Sequence, residues 1–286
     1  MSDALFEPGL RLRWRDAGRA RSHGINARLV AGLRRRAGAL AWLMVLPAPT
    51  VPMWIVGSAR GWLPEQILPR PADVVHIFAD MIASGELAQH AGISLLRVAI
   101  GFAAGAAAGL VLGSAMGLSR RVDDYVRPLF TAVAQVPALA WIPLAMLLLG
   151  IGETLKIVVI AKAAFVPVVM NTSAGIANVP RSLIEVGESF RFTPLQMLRH
   201  VVLPGAVPPI FTGLRYGLTH AWIALVSVEL LASSEGLGYL LVWGRQMFWL
   251  DTVLMAMIVI GLIGFVSDRI LAVVEARLQR WRTDDV

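Results

Sequence analysis

The sequence predicts an all-α polytopic membrane protein with six transmembrane helices. The first observation behind this is composition: 57% of the 286 residues are hydrophobic and only 16% are charged, where a soluble globule carries about 25%. The second is patterning. Residues 37–59, 98–119, 128–152 and 252–267 contain no Asp, Glu, Lys or Arg. The run 157–180 holds only Lys162, and 205–231 only Arg215 and Glu229. A helix needs about 20 residues to cross a bilayer core, and backbone groups in lipid must bond internally. Helices meet that demand, and the alternating short segments of a barrel are absent. The third observation is the placement of arginine. Arg11, Arg13, Arg15, Arg19, Arg21, Arg28, Arg34, Arg35 and Arg36 precede the first run, and positive charge beside a first span keeps that end cytoplasmic.

Taken in order, residues 1–36 read as a basic cytoplasmic tail. The excess of positive charge there is explained by membrane orientation, so no nucleic-acid partner is expected. The first span, 37–59, starts too late and is too often broken by Pro47, Pro49 and Pro52 to be expected as a cleaved leader. Residues 60–89 form an external connection with a short amphipathic helix, in which Val74, Val75, Ile77, Phe78, Met81 and Ile82 recur at helical spacing. A bundle follows over 90–278, and residues 279–286 form a cytoplasmic C-terminus. Arg120, Arg121, Arg127, Arg181, Arg191 and Arg199 then fall in cytoplasmic loops. The absence of cysteine excludes disulfides and thiolate sites.

The second span repeats glycine every fourth residue at Gly101, Gly105, Gly109, Gly113 and Gly117. Such a stripe lies on one helix face and lets a neighbouring backbone come close. Pro137, Pro143, Pro167, Pro208 and Pro209 interrupt other spans and predict kinks. Ionisable or polar groups inside spans are costly and point to function. The candidates for a substrate path are Arg97, Lys162, Asn171, His220 and Glu229, of which Lys162 lies deepest; Thr172 and Ser173 add polarity beside Asn171. The competing readings are that Arg97 and Arg215 snorkel, that Glu229 pairs with a base, and that His220 is a packed hydrogen-bonding residue. The scattered histidines have no metal-ligand spacing, and no nucleophile–base set is visible. GLGY at 236–239 reads as a turn in an external loop.

The segment 178–208 is too long for a simple corner. Ser182-Leu-Ile-Glu185 and Thr193-Pro-Leu-Gln196 both fit capping boxes, with Pro194 suited to the first helical position. Two short helices are expected, about 182–190 and 194–202, the second ending before Pro204. Each has an apolar and a charged side, as a docking element for a soluble partner needs.

This segment resembles the signature loop of ATP-binding-cassette importer permeases, E-A-A, three residues, G, nine residues, I-x-L-P: Glu185, Val201, Leu203 and Pro204 fall at the matching spacing. Val186 and Gly187 stand where the family has two alanines, and Arg191 where it has glycine. Around the loop, ILPRPADV at 67–74, SLLRVAIGF at 94–102, VPALAWIPLAMLLLGIGETLKI at 136–157, FVPVVMNTSAGI at 165–176, GLRYGLTHAW at 213–222 and VELLASSEGLGYLL at 228–241 are similar to permeases for aliphatic sulfonates, taurine and nitrate.

The resemblance implies a type I importer permease fold in a bacterial inner membrane, with both termini cytoplasmic. It implies two ABC ATPase subunits, a second copy of the permease and a periplasmic substrate-binding protein as partners. ATP and Mg would be bound by the ATPases and no cofactor by this chain, which has no phosphate loop and is expected not to be an enzyme. Ser182, Glu185, Gly187, Arg191, Leu195, Leu203 and Pro204 become residues of the ATPase-coupling loop. The alternative is a secondary transporter or membrane receptor without an ATPase partner.

Overall fold

The computed structural model describes residues 47–62, 64 and 68–279. Among them every regular element is helical. The chain divides into two units, Met1–Glu65 and Gln66–Val286. In the first, the described helix is α1, Pro47–Ala59, which contains Pro52. The N-terminal part of the predicted first span, and the two terminal tails, lie outside the described residues.

The second unit begins with α2, Pro71–Ala83, the expected amphipathic helix. The Arg70 amide donates to the Asp73 carboxylate at 3.3 Å, and Val74 and Met81 are buried. After Gly85, at φ 81°, comes α3, Glu86–Leu118. Its 33 residues make a rod of about 50 Å, longer than the predicted span at its N-terminal end. Next come α4, Arg120–Ala134, a 3-10 turn, Ala138–Trp141, and α5, Ile142–Leu149. The central helix α6, Glu153–Ala177, leads to α7, Arg181–Ser189, and α8, Pro194–Met197. One π turn, Leu198–Val202, joins α8 to α9, Leu203–Ala232. Then follow α10, Leu237–Gln246, and α11, Leu250–Leu278.

Three of these helices, α3, α6 and α11, are individually long and apolar enough to cross a membrane, or five spans result if each of two bent pairs counts as one. The predicted third span, 128–152, is therefore corrected. It is α4 and then 138–149, bent by 84°. Pro137 has no amide to donate and disfavours the helical region for the residue before it; the helix ends at Ala134. By contrast α6 runs through Pro167 and α9 through Pro208 and Pro209.

Helix α6 is packed between α3 and α9, and small residues let both approach. The glycine stripe of α3 lies on α6. A β-carbon built on Gly101 would stand 2.6 Å from the Ile160 side chain, one on Gly109 2.9 Å from Val168, and one on Gly113 2.8 Å from Thr172. At Gly105 it would run into the Ala161 carbonyl. On the other side, Gly175 meets Pro209 and Gly213 meets Asn171. Val98, Ile160, Ala164, Leu218, Trp222 and Leu225 fill the space where the three helices meet.

Candidate functional site: a hollow, a loop and a buried ion cluster

The break between α4 and the 3-10 turn, together with α6 and α9, walls a cavity of about 800 Å³. Gln135 from the break, Lys162 and Asn171 from α6, and Tyr216, His220 and Ser227 from α9 are its polar lining; Val136, Leu139, Val166 and Met170 are among the apolar. Three of the five sequence candidates thus meet at one cavity. The Lys162 ammonium donates to the Val136 carbonyl at 2.5 Å and lies 5.3 Å from the centre of the Trp141 ring. Asn171 Nδ2 donates to the Pro167 carbonyl at 2.8 Å, and His220 Nδ1 is 2.8 Å from the Tyr216 carbonyl. A second cavity of about 500 Å³ shares Asn171 and Ala174 with the first and is lined further by Asn178, Leu183, Pro204 and Pro208. The hollow therefore extends along α6 toward α7.

Arg97 and Glu229 are elsewhere. Both are almost fully buried, 2% and 1% exposed, at the opposite end of the helices. Arg97 grips the Glu153 carboxylate with two nitrogens, Nη2 at 2.6 Å and Nε at 2.7 Å. Its Nη1 donates to Glu229 at 2.8 Å, and its Nη2 to the Glu235 carboxylate at 3.1 Å. Glu229 also accepts from the Ser94 hydroxyl at 2.9 Å and the Gly238 amide at 2.8 Å. The Leu237 amide donates to Ser94 and the Gly236 amide to His90 Nδ1. Lys156 completes the group by donating to Glu153 at 2.7 Å. This arrangement satisfies a buried charge on every side, the condition under which one persists in a dry interior.

The turn read from GLGY is a clamp on Glu229 and the start of α10. Gly236 sits at φ 108°, and a β-carbon on it would collide with the Glu229 carboxylate. Gly238 admits the Glu229 Cβ, 2.6 Å from where its own would be. Reading single spans missed Ser94, Glu153, Glu235 and Lys156. The signal for two of them was a carboxylate just outside each of two span ends, Glu153 after 128–152 and Glu235 after 205–231, which only a known helix order turns into a cluster. A second internal pair, Arg215 with Asp268 at 3.0 Å through two nitrogens, ties α9 to α11. No group of histidines and carboxylates among the described residues could hold a metal ion.

The loop follows the predicted outline with two corrections. Thr193 and Gln196 form the reciprocal capping box, with the Thr193 amide donating to Gln196 Oε1 at 2.8 Å and the Gln196 amide to Thr193 Oγ1 at 3.3 Å. The Ser182–Glu185 box does not form. The helix starts one residue earlier, after Pro180, so Ser182 is inside it and Glu185 instead stands 3.8 Å from Arg181 across one turn. The second correction is that the helix does not stop before Pro204. It passes through the π turn, in which the Leu203 amide reaches back to Leu198. Widening the turn there places the proline, which lacks an N–H, near the start of α9 at little cost.

Arg191 takes φ 53°, the left-handed conformation that glycine adopts freely. Gly187 is buried, and a β-carbon there would stand 2.8 Å from the Met197 methyl. It is what lets α7 fold against the helix after the bend. Leu183, Val186, Phe190 and Leu195 are exposed, the last two at 73% and 72%.

A bundle of apolar helices around a partly polar hollow, with an apolar-faced loop at one end, defines a membrane transport subunit. A family model described as binding-protein-dependent transport system inner membrane component matches residues 105–280. The putative aliphatic sulfonates transport permease of Bacillus subtilis is 38% identical over 249 residues, covering 87% of this chain and 90% of the relative. The taurine transport permease of Escherichia coli is 37% identical over 218 residues, covering 76% and 78%. The nitrate import permease of a Synechocystis species is 35% identical over 183 residues, covering 64% and 66%. Among solved structures, an inward-facing form of the MetNI methionine ABC transporter matches with a TM-score of 0.52 at 21% identity, over 63% of this chain and 92% of that one. That likeness concerns the fold.

The chain belongs to the family of inner membrane components of binding-protein-dependent transport systems; it is an ABC importer permease of the sulfonate, taurine and nitrate group, multi-pass and non-catalytic. Membership sets aside the secondary transporter and the receptor.

Proposed function

We propose that this permease carries a small anion, an aliphatic sulfonate in the first instance, with taurine or nitrate as the nearest alternatives. Separate ATPase subunits would drive transport through the loop 181–204. The observation that carries the proposal is the hollow itself, which holds a lysine and leads toward a loop whose Leu183, Val186, Phe190 and Leu195 face outward. An apolar row on a polar, capped element is a surface for a soluble protein. In this reading two ATPase subunits bind the loops of two permease copies, and a periplasmic binding protein delivers the anion. Both termini and the loop face the cytoplasm, in keeping with the arginine distribution. The names of the relatives supply the substrate classes; the lysine of the cavity supports their negative charge.

The test is reconstitution of the permease with a cassette ATPase and a periplasmic binding protein from the same genome. Co-purification of the ATPase and ATP-dependent uptake of ethanesulfonate are expected. Glu185→Leu should leave ATP hydrolysis standing and reduce uptake at least tenfold. Undiminished uptake by that variant would sink the role given to the loop.

A further inference from the structure

The lysine of the cavity also sits at the break in the bent span, and this gives it a second part. The carbonyl of Val136 precedes Pro137 at the point where α4 has ended and the 3-10 turn has not begun. Around it the backbone holds few bonds of its own: Val136 donates to Val133 at 3.3 Å and Ala140 to Pro137 at 3.0 Å. The Lys162 ammonium, reaching across from α6, caps this carbonyl at 2.5 Å and rests over Trp141 of the same turn. The Trp141 Nε1 is buried without a hydrogen-bond partner among the described residues.

Lys162 differs in kind from the other internal bases. Arg97, Lys156 and Arg215 each pair with carboxylates. Among the described residues Lys162 is the one formally charged side chain lining the larger cavity, and both groups that hold it, a carbonyl and an aromatic face, are neutral. A full negative charge attracts an ammonium more strongly than a neutral dipole does, the more so where water is scarce.

We infer that Lys162 is an anion-released tether: with the cavity empty it pins the broken span to α6 through Val136 and Trp141, and an entering sulfonate draws the ammonium off them and frees the break. This rests on the reading of the cavity as the path of an anionic substrate. It adds a specificity element, because a neutral molecule of the same size fills the cavity without moving the lysine. It also makes the bend at 135–141 the part of the permease that reports occupancy. The side chain's four rotatable bonds allow the shift without movement of α6.

The test is hydrogen exchange on the reconstituted transporter without nucleotide, followed in the peptide spanning 133–142. Saturating ethanesulfonate should raise exchange there roughly threefold or more, since local opening governs exchange, and ethyl methyl sulfone, its uncharged analogue, should not. Lys162→Met should exchange fast already and respond to neither; Lys162→Arg should behave as the parent. The wild-type measurement needs no substitution, so a misfolded variant does not spoil the test. Unchanged or slowed exchange with ethanesulfonate, in a preparation that transports it, overturns the tether and leaves the path reading intact. Absence of uptake of ethanesulfonate, taurine and nitrate alike by the wild-type transporter overturns the path reading and the tether with it.

Discussion

Arg191 carries a cost that glycine would not. Its φ of 53° places Cβ near the following carbonyl, worth about 1 kcal/mol or slightly more for an L-residue. Phe192 after it reaches back to the Gly187 carbonyl at 3.0 Å, so the bend is held by neighbours. Arg191→Gly should therefore raise the unfolding free energy of the purified permease by about 0.5 kcal/mol, part of the relief being lost to the freer unfolded chain. A thermal melt in detergent reads it, and a lowered midpoint would contradict the strain argument. Glu229 is the opposite case, a residue whose every oxygen is used. Glu229→Ala takes one of three carboxylates from the buried Arg97, which keeps Glu153 and Glu235, and leaves the Gly238 amide without its acceptor, at a cost on the order of 1–3 kcal/mol. The variant should lose its monodisperse peak in size-exclusion chromatography. Glu229→Gln should keep more of that peak, because its amide oxygen still accepts from a neighbour that alanine leaves unpaired.

At the scale of elements, the α3–α6 contact depends on missing side chains. One methyl at Gly105 meets the Ala161 backbone, which has no rotamer by which to yield. Gly105→Ala should thus destabilise more than Gly92→Ala on the same helix, where a β-carbon meets nothing; equal melting points for the two would refute close packing as the reason for the stripe. The loop's second helix stands on its cap. Thr193→Ala removes one reciprocal pair and should cost about 1 kcal/mol, read as faster proteolysis within 190–200, whereas Ser182→Ala should be silent because Ser182 caps nothing. That contrast follows from a one-residue difference in where α7 starts. The pattern S-x-x-E permits a box at Ser182, but Pro180 supplies the fixed turn that begins the helix, and a proline start pre-empts the serine.

At the scale of the whole second unit, two features face opposite ends of the same helices: the ion cluster that binds α3, α6 and the α9–α10 turn together, and the hollow that leads to the loop. Asn171 is where the two cavities join. Asn171→Leu narrows that junction and should lower ethanesulfonate uptake at least tenfold while ATPase binding to the loop persists. Uptake at parental rates would mean that the anion takes another way.

The sequence by itself determined that the chain is a bundle of membrane helices, where most of them lie, and that a capped segment interrupts them. Hydropathy is a local property that lipid enforces residue by residue, and the glycine interval and the Thr193 box are equally local. What only the tertiary structure decided is which lone polar groups find one another. Arg97 and Glu229, both candidates for the path, neutralise each other 132 positions apart, while Lys162, Asn171 and His220 share a cavity. The bend at Pro137 belongs to the same class. A proline announces a possible break, but Pro167 and Pro208 leave their helices continuous. Which proline opens a break is decided by the packing around it, and at Pro137 a neighbour, Lys162, meets the carbonyl the break exposes.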